Sequence, residues 1–146
     1  MPSINQSKKL PYSAKDIHDL VMDIEKYPQF LPWCKDARIV EKLSTNNLHA
    51  DLLINFKGFL KKYRSDVLSR VENNIYFVDV HAIEGPFQKL NSHWIIKEID
   101  EKNCEVEFFV DFEFNSSLLS KMIGAIFERA NNKMMQAFED RAKEIY

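Results

Sequence analysis

Glu105-Val106-Glu107-Phe108-Phe109-Val110-Asp111-Phe112-Glu113-Phe114-Asn115-Ser116-Ser117 sets Val106, Phe108, Val110, Phe112 and Phe114 at every second position. That alternation puts them on one face of a strand, opposite Glu105, Glu107, Asp111 and Glu113, as one apolar wall. Asn115-Ser116-Ser117 ends the pattern and supplies side chains suited to a helix N-cap. From there Leu119, Met122, Ile123, Ile126, Phe127, Ala130, Met134, Ala137 and Phe138 recur at steps of three and four. The spacing predicts a terminal helix of roughly 30 residues, about 40 Å long at 1.5 Å per residue. A stripe of that length can be buried only against the sheet.

Upstream, from Lys35 to Phe114, the period stays near two and turn clusters recur at intervals suited to antiparallel strands. Ala37 and Ile39 lead to a turn at Ser44-Thr45-Asn46-Asn47, and Ala50, Leu52, Ile54 and Phe56 lead to Gly58. Tyr63, Ser65, Val67, Ser69 and Val71 end at Glu72-Asn73-Asn74, and Leu90, Trp94 and Ile96 precede Asp100-Glu101-Lys102-Asn103. Ile75 to Ala82 is apolar on both alternating faces, which predicts a strand covered on both sides for part of its length. Nearer the start, Ser13 with Asp16 three residues on forms a capped entry to a helix from about Ser13 to Ile24. That helix is expected to stop near Tyr27-Pro28, because the residue before proline is driven from the helical region. Pro28-Gln29-Phe30-Leu31-Pro32-Trp33-Cys34 then suits a single helical turn pressed onto something apolar.

The predicted order is strand, helix, short turn, six strands and a long helix. This is an α+β chain whose curved antiparallel sheet wraps around the terminal helix. Such a grip through large aromatic side chains leaves gaps, and an apolar cavity of roughly 300 to 1,000 Å³ is the default expectation. Glu84-Gly85-Pro86-Phe87 is placed to act as a flap over it, with Phe87 as its plug.

With 146 residues, 45% hydrophobic and 29% charged at a net charge of −2, the chain suits one domain over 1–146 and excludes a disordered or repeat architecture. The near balance of charge argues against a dedicated nucleic-acid binder. Apolar runs stay far below the roughly 18 residues of a membrane span. The start Met1-Pro2-Ser3-Ile4-Asn5 has neither a secretion signal nor an organelle presequence, so a cytoplasmic protein of bacterial type is expected, at most peripheral to the inner membrane. Cys34 and Cys104 lack partners at motif spacing and are expected to be free thiols. His18, His49, His81 and His93 show no metal-ligand spacing. No phosphate loop or nucleophile elbow is present.

Four stretches stand out: Tyr27-Pro28-Gln29-Phe30-Leu31-Pro32-Trp33-Cys34, Phe56-Lys57-Gly58, Gly85-Pro86-Phe87-Gln88-Lys89-Leu90 leading to Trp94, and Phe112-Glu113-Phe114 running into Ser117-Leu118-Leu119. With the layout, they resemble the polyketide cyclase and START-related superfamily with its helix-grip fold, and most closely the coenzyme Q-binding protein family. The resemblance covers nearly the whole chain. Bacterial members of that family also carry the name ribosome-association toxin. The resemblance implies an apolar tunnel holding a prenylquinone such as ubiquinone as bound ligand, a respiratory role and no catalytic cofactor. Phe59-Leu60-Lys61-Lys62-Tyr63 departs from the more polar sequence of bacterial relatives.

On this reading the candidate ligand contacts are Tyr27, Phe30, Leu31, Trp33, Phe87, Trp94, Phe112, Met122, Ile123 and Phe127. Several also suit plain core roles: Phe30, Leu31 and Trp33 can seal one end of the core, and Met122, Met134 and Met135 can fill it. Trp94 brings an indole N–H that can orient a quinone carbonyl or pair within the fold. Asp79 and His81 share a strand face and are the only candidate acid–base pair for a cyclase or lyase, the weakest of the functional readings. Lys57, Lys61, Lys62 and Arg64, joined by Lys8 and Lys9, suit a solvated edge, docking on anionic lipid, or contact with a ribosomal subunit.

Overall fold

The computed structural model describes residues 3–56 and 58–146, so Lys57 lies outside the described residues. Seven strands form one antiparallel sheet: β1 (Ser3–Leu10), β2 (Cys34–Lys42), β3 (Asn47–Phe56), β4 (Phe59–Glu72), β5 (Ile75–Glu84), β6 (Phe87–Asp100) and β7 (Asn103–Phe114). Their order across the sheet is β1-β7-β6-β5-β4-β3-β2. Every neighbour from β2 to β7 follows in sequence through a short turn, and β1 closes the far side against β7. Three helices, α1 (Ala14–Met22), α2 (Ser117–Asn132) and α3 (Met134–Ile145), are joined by a 3-10 segment at Ile24–Gln29 that follows α1.

The predicted wall on β7 is continuous: Val106, Phe108, Val110, Phe112 and Phe114 are all buried, as is Cys104. Burial of each such side chain contributes about 1.5 to 3 kcal/mol, which makes β7 the spine of the core. It meets Leu90, Trp94 and Ile96 of β6, Ile4 and Leu10 of β1, Ile17, Leu20 and Val21 of α1, and the stripes of α2 and α3.

Ser13 caps α1 as its spacing predicts, its hydroxyl accepting from Asp16 N–H at 3.1 Å. Ser116 does the same for α2 from Leu119 N–H at 3.3 Å. Between them, the turn anticipated over Pro28–Cys34 sits earlier. Its helical part is Ile24–Gln29, which takes in Tyr27 and Pro28, and Leu31 and Phe30 donate back to the Tyr27 carbonyl at 2.8 and 3.1 Å.

The long terminal helix is interrupted. At Lys133 the backbone turns to φ −97°, ψ 2°, separating α2 from α3. Asn131-Asn132 precedes this point, and the Asn131 side-chain amide donates to the Phe127 carbonyl at 2.9 Å, in competition with the regular ladder. The bend lets Ile123 and Phe127 on one segment, and Met134, Met135, Phe138 and Ala142 on the other, follow a curved sheet.

Strand β5 differs from expectation as well. Of its residues only Val78 is buried. Phe77 lies on the convex face beneath the Arg70 guanidinium, 4.1 Å from the ring centroid, so a cation rather than a second layer covers it.

Candidate functional site: an apolar cavity and its outer groove

The concave face of the sheet is floored by side chains of unequal size. Leu52, Tyr63 and Trp94 are large, while Ser65, Val67, Val78, Val80 and Ser92 are small. Where the small ones cluster, Phe127, Asn131, Met134 and Phe138 on the helices do not reach the floor, and a cavity of about 80 Å³ remains. It is well below the roughly 300 to 1,000 Å³ expected of a small-molecule site. Aromatic packing accounts for the difference. Phe127 meets Phe112, Phe87, Phe56 and Phe114 with centroids 4.6, 5.2, 5.6 and 5.7 Å away, and this cluster occupies space that a tunnel would need.

Beyond that cluster lies a second space, a surface groove of about 300 Å³ between the Leu31-Pro32-Trp33 segment, the end of β3 and the α2–α3 junction. Leu31, Pro32, Trp33, Phe56, Ile126, Ala130 and Ala137 make it apolar, and Arg129 and Lys133 supply its cations. Trp33 lines both spaces. It stacks on Phe56 at 6.2 Å and 16°, and Phe56 meets Phe127 edge-on, so Trp33, Phe56 and Phe127 form a wall of three rings between cavity and groove.

The predicted contacts divide accordingly. Tyr27, Trp33, Trp94 and Phe127 line the cavity, and Leu31 and Trp33 line the groove. Phe87 and Phe112 stand behind Phe127, and Phe30 packs on Phe138 at 5.1 Å. Ile123 is buried in the α2 stripe, whereas Met122 is 52% exposed on the outer side of α2 and lines neither space. Phe87 belongs to no open flap. Gly85 adopts φ 133°, and Asn115 fastens the turn by donating to the carbonyls of Pro86 at 2.9 Å and Gly85 at 3.2 Å.

Polar atoms around the cavity are few. The Tyr27 hydroxyl donates to the Val21 carbonyl. Burial drives the phenols of Tyr27 and Tyr63 well above their usual range and keeps both neutral. Trp94 is held between Phe108 at 4.5 Å and Phe138 at 4.9 Å. Ser65, Ser92 and Asn131 were not singled out from sequence. Serine in a strand and asparagine in a helix are ordinary, and only the inward side of those positions makes them notable.

Asp79 and His81 do not pair with each other. The Asp79 carboxylate lies 2.6 Å from His93 Nδ1 and His81 lies 3.9 Å from Asp66, all on the convex face and away from the cavity.

The predicted basic cluster is divided between faces. Arg64 grips buried Asp51 with two hydrogen bonds of 2.7 and 3.2 Å, and Lys62 adds a contact at 3.6 Å. The Arg64 hydrogen bond is the main reason the Asp51 carboxyl is held below its usual range, against the opposing effect of burial. Lys61 pairs in register with inward Ile54, so it sits on the concave side, its ammonium 5.4 Å from the Phe59 ring. Lys8 forms an ion pair with Glu139.

A curved antiparallel sheet closed over helices, with a small apolar cavity between them, defines the helix-grip class of fold. The chain belongs to the polyketide cyclase / dehydrase and lipid transport family, whose pattern matches residues 10–139. It is 43% identical over 146 residues to the ribosome association toxin RatA of Rickettsia prowazekii, covering 99% of each chain. It is 27% identical over 141 residues to the mitochondrial coenzyme Q-binding protein coq10 of Schizosaccharomyces pombe, covering 94% of this chain and 84% of that one. The crystal structure of the Zhui aromatase/cyclase of Streptomyces sp. R1128 shares the fold, with a TM-score of 0.81 at 13% identity over 97% of this chain and 93% of that one.

Proposed function

We propose that the protein binds a prenylquinone, ubiquinone or a close relative, and carries it for respiratory electron transport without transforming it. The observation that carries this reading is the apolar cavity continued, across the rings of Trp33, Phe56 and Phe127, by an apolar groove open to the surface. A ligand with a compact head and a thin flexible tail suits two small spaces in series better than one bulky molecule does. Transfer of a tail from the bilayer is offset by about 0.8 kcal/mol per buried CH₂, so binding needs no covalent step. The likeness to a coenzyme Q-binding protein supports the reading. The convex-face placement of Asp79 and His81 supports a carrier over a cyclase.

On this view a single lipid-binding domain works in the cytoplasm at the inner-membrane surface. Lys61, exposed on the concave side of the β3–β4 hairpin, would meet anionic headgroups there, a contact worth about 1 kcal/mol. Tail beyond the groove would stay in the membrane. The decisive test is mass spectrometry of an organic extract of the protein purified from a quinone-producing bacterium. A stoichiometric prenylquinone is expected, and an empty extract from folded protein would overturn the reading.

A second reading is that the protein binds a ribosomal subunit and blocks translation, favoured by the relative at 43% identity that carries that name. Under it, Lys61→Glu with Lys62→Glu abolishes co-sedimentation with the subunit and leaves lipid content unchanged. Arg64 is unsuited to this test because removing it strands buried Asp51.

A further inference from the structure

Three serines point inward from the sheet and only one is paired. Ser69 bonds His18 Nε2 at 2.7 Å, whereas Ser65 and Ser92 line the cavity with no side-chain hydrogen bond among the described residues. Facing them from α2 is Asn131, only 5% exposed. Its amide nitrogen is committed to the Phe127 carbonyl, which leaves its Oδ1 without a partner among the described residues. Asn131 occupies a core position of the helix stripe, four residues after Phe127 and three before Met134, where an apolar side chain would pack and lengthen the helix. An amide whose oxygen is free to accept, set in an otherwise apolar stripe and lining the cavity, is a local departure from the pattern that points to a ligand which satisfies it.

We propose that Ser65, Ser92 and Asn131 receive the oxygen-bearing ring of the ligand, so that the head enters first and the isoprenoid tail trails past Trp33 and Phe127 into the groove. This inference rests on the prenylquinone reading and adds an orientation and a recognition set to it. The two serine hydroxyls rotate freely, donating to a quinone carbonyl or accepting from a quinol hydroxyl. Asn131 Oδ1 can only accept, so it serves the reduced ring. Seating a whole substituted ring needs more than 80 Å³, so Trp33 and Phe127 swing toward the groove as it enters. Interface and pocket side chains commonly change rotamer in this way.

The test uses the full chain and three probes, followed by the fluorescence of Trp33 and Trp94. They are a dimethoxy-methyl-benzoquinone bearing one isoprene unit, its quinol, and farnesene as a tail without a head. The Ser65→Ala, Ser92→Ala double variant, nearly isosteric and so expected to fold, should bind quinone and quinol about fivefold to tenfold more weakly, with farnesene unchanged. Asn131→Leu should weaken the quinol by a similar factor and spare the quinone. Quinone and quinol binding equally well to wild type and variants would overturn the head-inward arrangement while leaving the prenylquinone reading standing. Equal weakening for farnesene would overturn it too, as a loss of packing. Wild-type protein that binds farnesene and neither ring would overturn both.

Discussion

Two glycines with positive φ separate backbone freedom from space. A Cβ on Gly58, at φ 84°, would meet nothing within 4 Å, whereas on Gly85, at φ 133°, it would lie 2.5 Å from Tyr63 Cβ. Gly58→Ala should therefore cost only the backbone penalty, about 1 kcal/mol. Gly85→Ala should cost about 3 kcal/mol or more, because strain and collision act together. Urea midpoints of the two variants check the ordering. The Cys34 thiol is pushed up to about 12 by burial, with the nearby Asp36 carboxylate adding to the rise. The unfolded thiol ionises from about pH 9, so this group's contribution is complete below pH 9 and is lost as pH rises toward 12. Stability should fall as pH rises from about 9 toward 12, and fall less in Cys34→Ala. Asp51, lowered by Arg64, acts at the other limb. Its contribution is present above the ordinary carboxylate range and lost as pH falls below about 4. Asp51→Asn should flatten that acid limb and cost about 1 kcal/mol at neutral pH, a modest figure because Arg64 is partly exposed.

At the scale of elements, the α2–α3 pair governs how far the cavity is filled. Phe127 touches four other rings, and Phe127→Ala should lower stability by about 3 to 5 kcal/mol while merging cavity and groove. A denaturation curve gives the first effect, and uptake of a bulkier apolar dye gives the second. The strands were legible because each repeats a period of two against a clear turn, with β7 the plainest case. The helix break was not, since Asn131, Asn132 and Lys133 are permitted in a helix and only a side-chain bond to the Phe127 carbonyl tips the balance. Phe77 looked like a core residue because its neighbours are apolar, and nothing local announces that Arg70 lies over it. The site was half legible. Tyr27, Trp33, Trp94 and Phe127 stand out by size, whereas Ser65 and Ser92 matter because they are small, and emptiness between distant strands leaves no trace in a linear pattern.

For the whole molecule, exposed apolar side chains are spread over several elements, the tip of the β3–β4 hairpin and the start of α2 among them. Leu60 is 48% exposed on the hairpin, and Leu118, at 64%, and Met122 are exposed on α2. None of the helices among the described residues is long and apolar enough to cross a membrane. The hairpin tip, where Leu60 and Lys61 are both exposed, suits shallow contact with headgroups. Liposome flotation should show binding that rises with anionic lipid content and is reduced by Leu60→Ser with Lys61→Ser. Indifference to lipid charge would remove the electrostatic part of that contact.

The cavity under Phe127 also makes the protein compressible. Eighty cubic ångströms per molecule is on the order of 50 mL per mole, within the ~20 to 100 mL/mol by which unfolding typically shrinks a small protein in water. Hydrostatic pressure thus acts on this fold through the space it leaves empty, and a seated ligand removes that lever. The pressure needed to unfold the protein should rise on ligand binding by more than affinity alone requires, an occupancy signal that needs no label and no knowledge of what the ligand is.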